Sequence, residues 1–232
     1  MDTKDKIKLY MVSLGPADHE LVTIKGLKAL QKSGAVCVPT KSKDNSFEKS
    51  ITHKIVKELM EQFGFEKPVL PVYSPMRFKE KDWQYQIDII TDAVEKYGSV
   101  SFVTLGDAAV YSTVYYLLDM IKEQNPSLYE QSEVVPGITS FSHASSKVKK
   151  PLCLGDNRFE LIPLIGREVP STKIYMRPKV GFDTEDIKEQ GEIYTFQNMN
   201  FEGENIQKGK IEKVEKYMTL FIDFNKTKED EK

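Results

Sequence analysis

The sequence predicts an α/β fold, with an open and mostly parallel sheet that has helices on both faces. Two observations lead to this class. Short apolar segments rich in β-branched residues alternate with longer segments whose apolar residues recur at helical spacing. Two of the short segments also end directly at a glycine turn, at Gly15-Pro16 and at Gly106-Asp107. This alternation is the pattern of successive strand–helix–strand units, whose strands run parallel.

The first half of the chain contains most of these units. Strands are predicted at residues 7–14, 35–38, 68–73 and 100–105. Helices are predicted between them, the first starting after Thr23, a good N-cap residue. The second helix ends before Gly64 and the third before Gly98, because glycine suits the left-handed conformation that often follows a helix. After the fourth strand, residues 111–113 open another apolar segment.

The polar stretch at residues 123–132 predicts a surface connection and a domain boundary. We therefore expect an N-terminal domain at residues 1–125 and a C-terminal domain at residues 133–232. Thr139 is placed to cap a helix that runs to about Val148. The later pattern is rich in strands, predicted at residues 159–164, 173–177, 192–198 and 217–224, with one acidic helix at residues 184–190.

The bulk composition is that of an ordinary globular protein. Of the 232 residues, 40% are hydrophobic and 29% are charged, and the formal net charge of −2 gives no reason to expect nucleic acid as a partner. We expect no membrane partner either, since no apolar run approaches the ~18 residues that a spanning helix needs. No secretory leader is recognisable, and the two cysteines have no disulfide or zinc spacing, so the sequence predicts a cytoplasmic protein.

Asp107 and Tyr111 are the first candidates for chemistry. The segment FVTLGDAAVYSTVYY places a carboxylate where a predicted strand ends, and in parallel sheets that edge is where ligands bind. Asp107 would there attract a cation or accept a proton. Alternatively, Asp107 only caps the next helix, and Tyr111 is only a core aromatic with a satisfied hydroxyl.

Two further loops have the form of ligand-binding turns. Residues 15–18 (GPAD) follow a strand and precede a helix, but they lack the glycines of a dinucleotide fingerprint and the lysine of a P-loop. Residues 134–140 (VVPGITS) enter a helix whose first N–H groups form a cradle for a carboxylate or carbonyl. Taken alone, the first is equally a tight turn and the second equally a capped helix.

Two kinds of catalysis have no support in the sequence. The three histidines share no metal-ligand spacing, so no metal site is predicted. No G-x-S-x-G elbow is present, which argues against hydrolysis by an activated serine.

Taken in order, the three loops resemble those of the tetrapyrrole methylases, the class III S-adenosylmethionine-dependent methyltransferases of cobalamin and sirohaem synthesis. The family pattern V-G-x-G-P-G-D-x-x-L-L-T, G-D-P-x-x-Y-S and V-x-P-G-I-T-S/A is matched by VSLGPADHELVT, GDAAVYST and VVPGITSF. The likeness extends to PVYSPMRF at residues 71–78, PLCLGDNRFELIP at 151–163 and IYM at 174–176. It is greatest to the branch that methylates C20 of precorrin-2 or cobalt-factor II.

The resemblance implies two α/β domains with S-adenosylmethionine in the cleft between them, a tetrapyrrole substrate and a homodimer. Asp107 and Tyr111 would stabilise charge or accept a proton, and Arg77 and Arg158 would bind the substrate's carboxylates. The residues that the motifs place at the cofactor are Pro16, Leu105, Gly106, Asp107, Val110, Ser112, Thr113, Thr139, Ser140, Met176 and Met199.

The chain departs from the family pattern in ways that matter at two loop positions. Ala17 replaces a glycine, which is unfavourable if the position needs a positive φ. Ala108 replaces a proline, which frees φ and restores an N–H group.

Two alternatives to C20 methylation stay open. The first is a methyltransferase of the same fold that acts on another ring carbon or on a non-tetrapyrrole substrate. The second is a non-catalytic protein that binds a tetrapyrrole or an adenosyl compound, with the two alanines as signs of lost activity.

Overall fold

The computed structural model describes residues 7–44, 46–48, 50–75, 77, 79–162 and 171–224. The chain divides into two compact units, at residues 1–159 and 160–232. No helix within the described ranges is long and apolar enough to cross a membrane.

The first unit is built on a five-stranded parallel sheet. Its strands are β1 (Leu9–Ser13), β2 (Ala35–Thr40), β3 (Val69–Tyr73), β4 (Val100–Thr104) and β5 (Ser132–Val135). They lie in the order β3-β2-β4-β1-β5, with Leu9 aligned to Val100 on one side and to Ser132 on the other. The predicted parallel α/β class is confirmed.

The described residues of the first unit form six helices: α1 (Ile24–Lys32), α2 (Ile51–Phe63), α3 (Glu80–Tyr97), α4 (Val114–Gln124), α5 (Pro126–Glu130) and α6 (Ser140–Val148). The alternating side chains of β1 separate two cores. Met11 packs in a core with residues of α3 and α4, and Val12 packs in a second core with residues of α1 and α2. The helices that follow β1 and β4 therefore lie on opposite faces, and the adjacent ends of these strands form the kind of switch point where α/β proteins bind ligands.

The helix ends agree closely with the sequence signals. The Thr23 hydroxyl accepts a hydrogen bond from the Gly26 N–H at 3.0 Å, and the Thr139 hydroxyl accepts one from the Ser142 N–H at 3.3 Å. Gly64 and Gly98 follow their helices at φ values of 63° and 77°. These predictions succeeded because each signal depends only on neighbours in sequence.

The connection at residues 123–132 differs from its prediction. Asn125 accepts a hydrogen bond from the Leu128 N–H and Pro126 starts α5, so the stretch contains a short helix. The strand that follows belongs to the first sheet, where Val135 is buried and aligned with Val12 of β1. The compact units consequently divide at 159/160 and not within the polar connection, since β5 gains its backbone partners and its core from the N-terminal part of the chain.

The second unit contains an antiparallel sheet in the order β6-β9-β7-β8. Its strands are β6 (Lys173–Met176), β7 (Glu192–Gln197), β8 (Asn205–Lys208) and β9 (Thr219–Phe224). Ile187, Ile193, Val214 and Phe221 form its buried core. The strand β8 was not among the predicted strands.

Two predictions on this side of the chain were wrong. The acidic helix at residues 184–190 is only a single 3-10 turn at Thr184–Asp186, because the N–H groups of Gln190 and Gly191 both donate to the Asp223 carboxylate at 2.8 Å. The strand predicted at 159–164 is irregular over residues 159–162, and its last two residues lie outside the described ranges.

Candidate functional site

Three glycines bring three sequence-distant loops together at the carboxyl edge of the parallel sheet. Gly15 and Gly106 exchange backbone hydrogen bonds, from the Gly15 N–H to the Gly106 oxygen at 3.1 Å and from the Gly106 N–H to the Gly15 oxygen at 2.8 Å. A Cβ on Gly137 would lie 2.6 Å from the Ser13 Cβ and 2.8 Å from the Gly106 oxygen. The loops that the motif order grouped are therefore in direct contact, and only a glycine fits at position 137.

The loop after β4 presents Asp107 at this edge. The Val110 N–H donates to the Asp107 carbonyl at 3.1 Å, which closes a β-turn, and the Ala109 N–H donates to Oδ1 of the Asp107 side chain at 3.0 Å. The half-buried carboxylate thus orders the turn without capping α4. Leu105 is 42% exposed and Val110 is half-buried, so the predicted cofactor residues on either side of Asp107 remain accessible.

Tyr111 is held in an unusual backbone conformation. Its φ is 51°, in the left-handed region that few non-glycine residues adopt, and its side chain is 71% exposed. The alternative that Tyr111 is a core aromatic is therefore wrong. Strained residues of this kind are found preferentially at functional sites.

Ser112 and Thr113 lead into α4. The Ser112 hydroxyl accepts a hydrogen bond from the Val114 N–H at 3.2 Å and lies 3.3 Å from the Thr104 hydroxyl oxygen. Thr113 precedes the helix but makes no side-chain capping bond. Ser112 therefore fixes the start of α4, while both side chains stay half-buried at the sheet edge.

The loop after β1 is strained at Ala17. Its φ is 72°, so the condition under which the missing glycine matters is met, at a cost of about 1 kcal/mol. The half-buried Pro16 precedes it, and the Asp18 carboxylate accepts from the Glu20 N–H at 2.9 Å and caps the 3-10 turn His19–Leu21. This loop is a capped tight turn placed beside Gly106.

The loop after β5 ends in the capped helix α6. Thr139 is half-buried and its hydroxyl is used by the cap, while Ser140 is exposed in the first turn. Because α6 starts next to Gly137, its first N–H groups lie at the same sheet edge as Asp107.

The two predicted arginines have different surroundings. Arg77 follows β3 by four residues, and its Nη2 lies 3.1 Å from Oδ1 of Asp82, whose side chain is 10% exposed. The Arg77 side chain is itself 49% exposed. Arg158 is exposed in an irregular segment, next to Phe159, whose ring packs against Phe141 of α6 at a centroid distance of 5.4 Å.

Met176 and Met199 belong to the second compact unit. Met176 is the last residue of β6, aligned with Leu220 of β9, and is 67% exposed. Met199 follows β7 and is 41% exposed. Both side chains are accessible in their own unit.

Two residues at the sheet edge were missed by sequence reasoning. Ser13 is fully buried, and its hydroxyl oxygen accepts a hydrogen bond from the Ala108 N–H at 2.9 Å. Partial burial raises the pKa of the Tyr115 hydroxyl, and the negative charge of Asp107 raises it further. The sequence held a signal for each residue: Ser13 stands where the V-G-x-G-P-G-D pattern has its first glycine, and Tyr115 follows Tyr111 by four residues.

The part of the chain that the structure describes contains no group of three or more His, Cys, Asp and Glu side chains able to hold a metal ion.

Solved structures and curated sequences resemble this chain over most of its length. A structure of a cobalt precorrin-4 methyltransferase superposes with a TM-score of 0.51 at 18% identity, covering 93% of this chain and 94% of that one. A putative cobalamin synthesis related protein from Corynebacterium diphtheriae gives a TM-score of 0.50 at 13% identity, covering 93% and 97%. These similarities establish the fold.

Curated relatives are more similar in sequence. A probable cobalt-precorrin-2 C(20)-methyltransferase of Methanocaldococcus jannaschii is 28% identical over 67% of this chain and 64% of its own length. The cobalt-precorrin-2 C(20)-methyltransferase of Salmonella typhimurium is 31% identical over 63% of this chain and 59% of its own. A cobalt-precorrin-4 C(11)-methyltransferase of Priestia megaterium is 25% identical over 65% and 50%. The matched region thus spans about three fifths of the length of the two C(20) relatives.

A family model for tetrapyrrole (corrin/porphyrin) methylases matches residues 8–180, which include all three loops and the whole parallel sheet. The chain belongs to this family.

Proposed function

We propose that this protein transfers a methyl group from S-adenosylmethionine to C20 of precorrin-2 or cobalt-factor II in cobalamin biosynthesis. The observation that supports it is the contact of the Gly15, Gly106 and Gly137 loops, which groups the family's motif residues at one sheet edge. Members of the family use S-adenosylmethionine. The C20 position is supported by the names of the relatives at 28% and 31% identity, and the C11 relative at 25% identity is the competing assignment.

The residues at the sheet edge fit the methyl donor. S-adenosylmethionine supplies an electrophilic methyl group on a positively charged sulfur. The Asp107 carboxylate offers the opposite charge, and its turn keeps it in place through the Ala109 N–H. A Cβ at Gly137 would clash with Ser13 and Gly106, so the backbones of the three loops pack closely at this edge.

The protein's contribution to such a reaction is mainly alignment. Holding the donor and the attacking carbon in line can lower the barrier by ~7–11 kcal/mol. After attack, the ring carbon must lose a proton, and an Asp107 carboxylate oxygen is the first candidate acceptor. Tyr111, whose side chain is exposed at the same edge, is the second candidate: as a phenolate it would accept the proton, and as a phenol it would stabilise charge by donating a hydrogen bond.

Arg77 and Arg158 are proposed to bind the acetate and propionate groups of the substrate. Arg77 is the stronger candidate, because Asp82 holds one nitrogen of its guanidinium at 3.1 Å while half of the side chain stays exposed. An arginine fixed in this way can still pair with a second carboxylate through its remaining N–H groups.

We also propose that the protein assembles as a homodimer. Analytical ultracentrifugation tests this, since it measures the mass of the assembly in solution.

Product analysis tests the proposed function. The purified protein is incubated with S-adenosylmethionine and either metal-free or cobalt-loaded dimethylated tetrapyrrole, and the product is analysed by mass spectrometry and NMR. We expect a mass gain of one methyl group, with the new carbon at C20. A methyl at C11 or another carbon would replace the assignment within the family.

A non-catalytic binder is the second candidate, favoured by one observation, the strained Ala17 in place of glycine. It predicts calorimetric binding of S-adenosylhomocysteine or tetrapyrrole without methyl incorporation.

A further inference from the structure

The Ser13 side chain joins the end of β1 to the loop after β4. Its hydroxyl oxygen accepts the Ala108 N–H at 2.9 Å, and both residues are buried, at 0% and 1% exposure. This contact is separate from the backbone bonds between Gly15 and Gly106. A buried N–H group without an acceptor is strongly unfavourable, so the hydroxyl satisfies a group that the loop would otherwise leave unpaired.

The geometry of the turn explains why the Ala108 N–H needs an external acceptor. Ala108 is the second residue of the β-turn Asp107–Val110, whose own bonds use the N–H groups of Ala109 and Val110. Ala109 has no positive φ, which excludes a type II turn. At the second position of the remaining common type, proline is favoured and no N–H is needed. A proline at position 108 would fix φ of the turn through its ring. Alanine has no ring, so the conformation of the turn must be held by another contact.

Ser13 also contacts the third loop. A Cβ added at Gly137 would lie 2.6 Å from the Ser13 Cβ, so the Gly137 backbone packs directly on this side chain. One buried serine therefore touches the Asp107 turn by a hydrogen bond and the Gly137 loop by van der Waals contact.

We propose that Ser13 is a positioning residue for the methyl-donor site, and that Ser13 with Ala108 forms a functional equivalent of glycine with proline at the same two positions. In the first pair a hydrogen bond fixes the turn, and in the second a ring does. The inference rests on the proposed function, because it assumes that the donor binds against the Asp107 turn. It predicts that the two positions act as one unit.

The experiment compares the wild type with Ser13→Ala, Ser13→Gly, Ala108→Pro and the double variant Ser13→Gly/Ala108→Pro. Ser13→Ala keeps the Cβ against Gly137 and removes only the acceptor. We expect its affinity for S-adenosylhomocysteine, measured by calorimetry, to fall about tenfold and the donor KM to rise equally, with kcat changed less than twofold. We expect the double variant to regain affinity that Ser13→Gly loses.

A matched control comes from the same sheet. Ser101 of β4 is also fully buried, and its hydroxyl donates to the Ser33 hydroxyl at 3.1 Å, away from the three loops. We expect Ser101→Ala to leave the donor KM unchanged. A KM that rises equally in Ser101→Ala and Ser13→Ala would reduce Ser13 to a general core residue and overturn the proposal.

A readout that needs no ligand separates this inference from the proposed function. Hydrogen exchange of the Ala108 amide should be slow in the wild type and at least tenfold faster in Ser13→Ala. If the wild type binds no S-adenosylhomocysteine, the proposed function fails, and with it the donor site. If the wild type binds it and Ser13→Ala binds equally well, or if the losses in Ser13→Gly and Ala108→Pro simply multiply in the double variant, the positioning role is wrong.

Discussion

Asp107 in the first unit and Asp223 in the second show two different uses of the same side chain. The Asp107 carboxylate is half-buried and accepts one backbone N–H through Oδ1. The Asp223 carboxylate is 2% exposed, and its two oxygens accept the N–H groups of Gly191 and Gln190, each at 2.8 Å. The first arrangement leaves part of the charge available to a ligand, whereas the second uses both oxygens to hold the chain.

The backbone around the two acids differs as well: it is strained near Asp107 and regular near Asp223. Near Asp107 the backbone includes Tyr111 and Ala17 at positive φ, conformations that cost stability. Near Asp223 the carboxylate holds residues 190 and 191, which lead the chain into β7, and β7 pairs with β9 along its whole length. The comparison teaches that burial and bonding, and not the residue type, separate a candidate catalytic acid from a structural one.

The largest expected effect is that of Asp107→Asn on turnover. An asparagine oxygen can accept the same Ala109 N–H, so the turn is kept while the charge and the basicity are lost. We expect kcat to fall roughly 10²- to 10⁴-fold, the usual contribution of a general base, with a change of less than about 1 kcal/mol in the free energy of unfolding. Normal turnover would exclude Asp107 as the proton acceptor.

The same substitution at Asp223 should act on stability instead. An asparagine has one acceptor oxygen, so either the Gln190 or the Gly191 N–H loses its partner. We expect the free energy of unfolding, from urea titration, to fall by about 2 kcal/mol, with S-adenosylhomocysteine affinity unchanged at temperatures where the protein is folded. If Asp223→Asn reduced donor affinity and left stability intact, the contrast between the two acids would be wrong.

Gly137→Ala sharpens the comparison from the backbone side. The added methyl would lie 2.6 Å from the Ser13 Cβ and 2.8 Å from the Gly106 oxygen, closer than real contacts allow. Because the loops must separate, we expect a loss of about 1–3 kcal/mol in stability together with weaker binding of S-adenosylhomocysteine. Unchanged binding would show that the contact of the three loops does not shape the donor site.

Much of the fold was predictable because its signals are local. The caps at Thr23 and Thr139 and the helix ends at Gly64 and Gly98 depend on a few adjacent residues. That the three glycine loops lie together was also predictable, since parallel strands place their carboxyl ends at one edge of the sheet.

Several of the missed features depend on contacts between distant parts of the chain. The bond from Ala108 to Ser13 joins residues 95 positions apart, and neither residue type alone announces it. The acidic helix failed because Asp223, more than thirty residues later, accepts the N–H groups of Gln190 and Gly191. The compact units divide at 159/160, and the polar connection at residues 123–132 gives no sign that β5 pairs with β1.

The smallest expected effect is a gain, from Ala17→Gly. At a φ of 72°, glycine relieves a strain of roughly 1 kcal/mol or more, but it also makes the unfolded chain more flexible, which offsets about 0.4–1 kcal/mol. We therefore expect the free energy of unfolding to rise by up to about 1 kcal/mol. The matched control is Ala109→Gly in the neighbouring turn, where φ is not positive and the same change should lower stability by about 0.4–1 kcal/mol through the unfolded chain. Opposite signs in the two urea titrations would confirm that Ala17 itself is strained. If the rise in stability came with weaker donor binding, the strain would be part of the site, whereas unchanged binding would make Ala17 a tolerated departure from glycine.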